Sequence, residues 1–249
     1  MKRKLSIILL LVLTICVLVS CEREYTPDPA VREYLNNGMT AAKAYSQIDT
    51  VYYEETRSLQ NKAGETRGKF YSEVSMDKSD KDNLKLAIHS VYEGECIEAD
   101  NVREINSTLE RIDGAYVYTV EKTHVGSDVP VVTHQNMSIE DAQNLIIAVI
   151  YTDNGAYDEG LYYGDLFMLR IFRFPPESFY VDTENDLCVF DEGMLIKEYY
   201  DLEDVELHQL TKINKLGLLT YNYEKYIGTK SDYVLVSETV ASYGYVQSN

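Results

Sequence analysis

The side chains that most often carry chemistry do not fall into a known catalytic spacing in this sequence. His89, His124, His134 and His208 are never spaced as HxxxH, so we expect them to be surface or strand-end residues. The sequence has neither a Gly-x-Ser-x-Gly elbow nor a phosphate-binding glycine loop with lysine. We therefore predict a protein that is not an enzyme and uses no cofactor. A hydrolase built from distant residues is the catalytic alternative.

Closely spaced acids are the one pattern here that suits a metal, because Ca²⁺ is bound by several oxygen ligands. Asp182, Glu184 and Asp186 begin like a calcium loop, but Leu187 stands where that loop requires glycine. The chain has 41 acidic residues, so such clusters arise by chance. We predict no metal site.

Two cysteines of the predicted domain could form a disulfide. Cys96 and Cys188 both lie in predicted strands, far apart in sequence. Export to an oxidising compartment permits a disulfide between them. Two buried free thiols are the other interpretation, and the sequence does not decide between them.

The N-terminus has the organisation of an export signal. Lys2, Arg3 and Lys4 precede an apolar run of 15 residues, 5–19. That run is too short to span a hydrocarbon core of about 30 Å as a permanent helix, and it has the length of a signal-peptide core. A plain signal peptide, or an N-terminal anchor with a chance cysteine, is the alternative.

The run ends Leu18-Val19-Ser20-Cys21, which resembles the lipobox of bacterial lipoproteins. In that family a diacylglycerol is attached to the cysteine thiol, and cleavage makes this cysteine the N-terminus. The resemblance implies removal of residues 1–20 and lipidation of Cys21, which would label with palmitate. It also implies anchoring on the extracytoplasmic face of a cell membrane. Two or three acyl chains hold a protein firmly, whereas one binds only marginally.

The charge of the mature chain restricts its partners. Cleavage reduces the 23 basic residues to 20 against 41 acidic ones, a formal charge of −21. That charge repels phosphate backbones, so we expect no nucleic-acid partner. The 22 tyrosines, with no tryptophan, indicate a sheet, because aromatic rings suit a pleated, half-buried surface.

The pattern along the chain predicts a tether over residues 21–29 and one α+β domain over residues 30–249. Apolar residues at helical spacing predict a helix over 30–48, interrupted by Gly38, and a second helix begins at the N-cap Ser138 and ends near residue 151. Strands joined by short turns imply an antiparallel meander. They are predicted over 50–59, 66–76, 84–94, 102–112, 115–124, 129–134, 178–183, 186–190, 194–200, 203–213, 218–226 and 233–240, with 166–174 as a strand or helix flank.

This order of elements resembles the LolA/LppX-like envelope lipoproteins, and residues 187–193 and 214–221 look like the late strand pairs of that group. Members fold as a curved half-barrel whose helices close over an apolar cavity. The resemblance implies a curved antiparallel sheet, a half-barrel-like meander, with about two helices packed on its concave or open side. It also implies that a lipid or other apolar ligand binds in the sheet cavity.

The candidate ligand-binding residues are apolar positions near the middle helix and tyrosines of the glycine-rich loop 154–164. They are Ile146, Val149, Tyr157, Tyr162, Tyr163, Phe167, Leu169 and Phe179. The apolar members are equally the expected core. The loop is a lid, a partner-binding edge or an ordinary surface loop.

Two functions follow from these interpretations. The first is a membrane-anchored, extracytoplasmic, non-catalytic lipoprotein that binds an apolar ligand. The second is an envelope interaction or structural module with a filled core, whose surface contacts a protein or a glycan.

The lipobox interpretation makes a direct prediction. Replacing Cys21 by alanine should abolish palmitate labelling and release the chain from the membrane fraction, because the acylated thiol is lost. Metabolic labelling and fractionation measure both effects. Cys16→Ala is the matched control, since Cys16 lies in the segment that is removed. A Cys21→Ala chain that still takes up the label would contradict the prediction.

Overall fold

A single antiparallel sheet dominates the structure. The computed structural model describes residues 25–36, 40–97, 100–150, 161–199 and 203–246. These residues form 11 strands in one curved, open sheet and four short α-helices. The predicted α+β class with a curved antiparallel sheet is thus confirmed. The helices number four rather than about two.

The elements have the following bounds. The helices are α1 Pro29–Asn36, α2 Ala41–Ser46, α3 Ile139–Ile150 and α4 Gly164–Arg170, with a short 3₁₀-helix over Pro176–Ser178. The strands are β1 Ile48–Gln60, β2 Thr66–Asp77, β3 Lys85–Gly94, β4 Val102–Ile112, β5 Ala115–His124, β6 Val131–Met137, β7 Phe179–Asp182, β8 Leu187–Tyr199, β9 Glu203–Ile213, β10 Leu219–Gly228 and β11 Val234–Tyr245.

The sheet consists of two meanders that meet at its centre. The strand order is β6-β5-β4-β3-β2-β1-β11-β10-β9-β8-β7. β1 therefore pairs with β2 on one side and with β11 on the other. The ladder between β1 and β11 runs from Ile48 opposite Tyr245 to Gln60 opposite Val234.

Alternation along the strands gives the sheet two different faces. Val51 and its cross-strand partner Met76 are buried on the face that the helices cover, the helix-side face. Tyr52 and Ser75, the next pair in the ladder, are exposed on the opposite or outer face. Side chains in a strand point alternately to the two faces, so one register determines both surfaces.

The helix boundaries follow from capping side chains. Asp28 accepts a hydrogen bond from the backbone N–H of Ala30 at 2.7 Å, at the start of α1. Ser138 accepts one from the N–H of Asp141 at 3.0 Å, which confirms the predicted N-cap of α3. The predicted helix over 30–48 is two helices, α1 and α2, and Gly38 lies outside the described residues.

The core lies between the helices and one end of the helix-side face. Buried side chains from all four helices contact buried side chains of β1–β5 and β7–β11. The helices contribute Val31, Leu35, Ala44, Ala142, Ile146 and Phe167, and Ile171 follows directly after α4. No described helix is long and apolar enough to cross a membrane.

Two predicted strand boundaries were wrong. Residues 186–190 and 194–200 are one strand, β8, because Gly193 does not turn the chain but pairs with His208 of β9. The strand predicted over 218–226 continues to Gly228, the last residue of β10. Of the two interpretations of segment 166–174, the helical one is observed, as α4.

The pairing of β2 with β3 predicts unequal costs for two glycine substitutions. Gly94 has a φ of +57°, and a Cβ there would collide with the carbonyl oxygen of Arg67. Gly64 has a φ of +87°, but nothing lies within 4 Å of a Cβ at that position. Gly64→Ala should lower the free energy of unfolding by about 1–2 kcal/mol, the cost of the left-handed conformation alone. Gly94→Ala should lower the free energy of unfolding by clearly more. Urea titration of both variants measures the two losses of stability, and equal losses would contradict the described β2–β3 ladder.

Candidate functional site

An aromatic cluster fills the interior where the apolar ligand site was predicted. Phe167 of α4 lies 6.2 Å from Phe179 of β7 and 6.4 Å from Phe190 of β8, between ring centroids. Phe179 and Phe190 are 4.9 Å apart, and Phe167 and Phe190 are fully buried. Edge-to-face and tilted rings at these distances pack favourably. The structure thus brings Phe167 and Phe179 together, and their rings pack against each other and against Phe190.

The other predicted apolar residues are dispersed. Ile146 is fully buried in the core under α3. Leu169 is 52 % exposed, because it lies two positions after Phe167 in α4 and therefore points to nearly the opposite side of the helix. Val149 belongs to α3, but its side chain lies outside the described part of the structure. Leu169 therefore does not line an interior site.

The two described tyrosines of the glycine-rich loop pack onto the domain. The backbone N–H of Tyr163 donates to the carbonyl oxygen of Gly217 at 2.8 Å, and the ring is buried. Tyr162 forms a β-bridge with Leu218 and is half-buried. Tyr157 lies outside the described residues. This part of the loop is attached to the β9–β10 turn.

A polar network crosses the helix-side face beyond the aromatic cluster. Gln209 of β9, 2 % exposed, accepts from Nη1 of Arg170 at 2.9 Å and donates from Nε2 to Glu224 at 2.8 Å. The hydroxyl of Tyr226 donates to the same carboxylate at 2.9 Å. Buried polar groups are stable only when hydrogen-bonded, and this network satisfies them. It joins α4 to β9 and β10.

A second apolar cluster lies past this network on the same face. Val205, Leu207 and Tyr226 are its buried members, and half-buried side chains such as Met194 and Leu235 pack against them. The interior of the protein is thus apolar at two ends and polar between them. The network of Gln209 lies between the buried members of the two clusters, and Met194 packs against both clusters.

Three clefts lie on the surface of the described part of the structure. The largest, about 780 Å³, lies between the β7–β8 and β9–β10 turns and the end of β11, where Lys215 and Asp186 form an exposed ion pair at 2.5 Å. The smallest, about 170 Å³, lies between α1, α4 and the β9–β10 turn and includes Tyr162. The third, about 590 Å³, crosses β11, β1, β2, β3 and β4, and we call it the outer-face cleft.

Two rows of cross-strand neighbours line the outer-face cleft. The register places the members of each row side by side. The first row is Ser242, Tyr52, Ser75, Ala87 and Thr108, and the second is Gly244, Thr50, Asp77, Lys85 and Glu110.

Hydrogen bonds hold the one aromatic ring of these rows. The hydroxyl of Tyr52 donates to Glu54 at 2.6 Å, and the hydroxyl of Tyr71 donates to Glu73 at 2.8 Å and to Glu54 at 3.3 Å. The hydrogen bond to Glu54 raises the pKa of Tyr52 to about 12, and that to Glu73 raises the pKa of Tyr71. Both tyrosines are therefore neutral donors at physiological pH.

The cysteines are free thiols in the structure. Cys188 is buried in the core on β8, and Cys96 is half-buried just after β3. β3 and β8 are separated by five strands of the sheet. Of the two interpretations that the sequence left open, the structure has the free thiols. Cys21 lies outside the described residues, so its lipidation stays a prediction.

Several of the described histidines and acids have structural partners. Nδ1 of His89 lies 2.6 Å from Oδ1 of Asn106, and His208 lies 3.6 Å from Asp191. Oδ1 of Asp182 accepts from the backbone N–H groups of Glu184 and Asn185, so the calcium-like segment is a turn. Among the described residues, no group of three or more His, Cys, Asp or Glu is arranged to hold a metal ion.

Comparison with known proteins gives only distant structural likeness. No family model and no curated protein matches the sequence. Among solved structures, a DUF1329 family protein from Desulfovibrio piger is 8 % identical with a TM-score of 0.26, over 88 % of this chain and 95 % of that one. A β-barrel-like protein of the domain of unknown function DUF1849 from Brucella abortus is 10 % identical with a TM-score of 0.23, over 81 % and 100 %. A likeness this distant carries no functional information about this chain.

The burial of the two thiols predicts their order of reaction. Burial raises the pKa of the Cys188 thiol to about 12 and also raises that of Cys96, which is less buried. Because the thiolate is the nucleophile, Ellman's reagent at about pH 8 should modify Cys96 slowly and Cys188 not at all in the folded chain. Unfolding in urea without reductant should expose both thiols of a chain that starts at residue 22. Finding neither thiol after unfolding would show a disulfide instead.

Proposed function

We propose that this chain is a lipid-anchored, extracytoplasmic binding protein that contacts its target with its outer surface. It acts by binding and performs no catalytic step. In this proposal the space between the sheet and the helices stabilises the fold and holds no ligand. This is the second of the two functions that the sequence predicts.

The filled interior carries the proposal. Three of the residues predicted to surround an apolar ligand, Ile146, Phe167 and Phe179, have at most 5 % of their surface exposed and belong to one buried cluster. None of the three clefts is lined by them. A small-molecule site requires a concave space of several hundred Å³, and the described residues form clefts of that size on the surface.

The lipobox supports the location. A cysteine preceded by Leu18-Val19-Ser20 and followed by a charged segment is typical of an acylated N-terminus. The acidic mature chain is repelled by anionic headgroups, so the lipid rather than the protein surface would hold it at the membrane. A partner reached from this position belongs to the cell envelope.

Native mass spectrometry tests the proposed function. The chain from residue 22 onward keeps every described residue and is expressed in bacteria and purified without detergent. We expect the mass of the protein alone, and no uptake after incubation with a lipid extract, because the interior is occupied by side chains. A fatty-acid-binding protein taken through the same purification is the positive control. A mass excess that denaturation releases as lipid would contradict the proposal and favour the apolar-ligand function.

A further inference from the structure

We propose that the outer-face cleft binds a neutral glycan that lies across the strands. The inference rests on the proposed function, because it takes the outer surface as the binding surface. It adds the site and the chemical class of the ligand.

The dimensions suit an extended chain of sugar rings. The cleft crosses five strands, and neighbouring strands are about 4.8 Å apart, so it is about 19 Å long. Its volume of about 590 Å³ lies within the usual range of ligand sites. A linear oligosaccharide repeats its sugar units along such a groove, and the strands cross the groove at regular spacing.

The floor of the cleft offers hydroxyl groups and little bulk. Ser75, Ala87 and Ser242 are exposed and small, so the backbone is approachable. Within the described residues, the hydroxyls of Thr50, Ser75 and Thr108 have no hydrogen-bond partner. Each hydroxyl can both donate and accept, which matches the hydroxyls of a sugar. An acyl chain in the same place would bury these groups unpaired, at a cost in free energy.

Tyr52 supplies the apolar contact that a sugar ring requires. Its ring is 42 % exposed beside the floor, and its hydroxyl is fixed by Glu54 at 2.6 Å. Tyr71 holds Glu54 from the other side at 3.3 Å. A ring fixed before binding loses little conformational entropy, so it is a favourable platform for the C–H face of a pyranose.

The charges of the lining disfavour an anionic ligand. Asp77 and Glu110 outnumber Lys85, and Glu54 and Glu73 lie in the next row of the same face. Phosphate and sulfate groups would be repelled by this excess of carboxylates. A neutral, hydroxyl-rich molecule fits both the charges and the free hydroxyls.

Glycan titration of the full chain, kept in lauryldimethylamine oxide micelles, tests the inference. The probes are linear tetrasaccharides of glucose, N-acetylglucosamine, galactose and mannose, with a sulfated tetrasaccharide as the anionic comparison. We expect at least one neutral probe to bind and the sulfated one not to bind, by titration calorimetry. Tyr52→Ala should lower the association constant for the neutral glycan by about tenfold, because an aromatic contact is lost.

Tyr180→Ala is the matched control. Tyr180 is 48 % exposed and follows the buried Phe179 in β7, so it points to the outer face but lies outside the cleft. Its removal should leave the association constant unchanged. Ala87→Leu adds bulk to the floor of the cleft at an exposed position, and this variant should abolish binding. Circular dichroism confirms that each variant is folded.

Two results would overturn the inference. One is the absence of binding by every neutral probe at millimolar concentration, and the other is equal binding by the wild type, Tyr52→Ala and Ala87→Leu. Either result together with a lipid-free native mass removes the glycan site and leaves the proposed function intact. Lipid uptake in the mass spectrum overturns the proposed function, whatever the glycan titration shows.

Discussion

The pairing of β1 with β11 is the interaction on which the rest of the structure depends. Each half of the sheet is a meander of strands joined by short turns, and within the described sheet the hydrogen-bonded ladder passes between the halves at this seam. The seam joins Val51 to Tyr243, residues that are far apart in the sequence. Closing so long a loop costs chain entropy before the pairing stabilises it. The meanders are local and the seam is not, so we expect the seam to form late in folding.

Both surfaces of the protein follow from this seam. On the helix-side face it unites the buried residues of the two meanders into one core, which then holds helices too short to be stable alone. On the outer face it brings Ser242 of β11 beside Tyr52 of β1. The outer-face cleft therefore exists only where the seam is closed, and the same register that fills the interior aligns the hydroxyls outside.

The elements were largely predictable from the sequence because their signals are local. Alternating apolar residues mark the strands, and Asp113-Gly114, both at positive φ, gives the β4–β5 hairpin that such a pair predicts. The same local reasoning failed at Glu192-Gly193, where a turn-like pair lies inside β8. Glycine permits a turn but does not require one, and the partner strand β9 decides the outcome.

The candidate site was less predictable because it depends on contacts between distant residues. The apolar character of Phe167 and Phe179 correctly placed them in the interior, but sequence does not reveal whether facing side chains leave a space. Leu169 is exposed because its segment is helical, whereas in a strand it would lie on the same face as Phe167. Ser75 and Ala87 carry no signal individually, since only the register of β2 and β3 makes them neighbours.

The attachment of the first described residue has a consequence for how far the domain stands from its anchor. The backbone N–H of Tyr25 donates to the carbonyl oxygen of Phe172 at 3.1 Å, just after α4. With Cys21 acylated, as proposed, the chain from that cysteine to Tyr25 spans at most about 14 Å. With that anchor in place, the end of the molecule that carries α4 would stay close to the headgroups. The proposed lipid would then restrict the protein to partners at a small height above the bilayer.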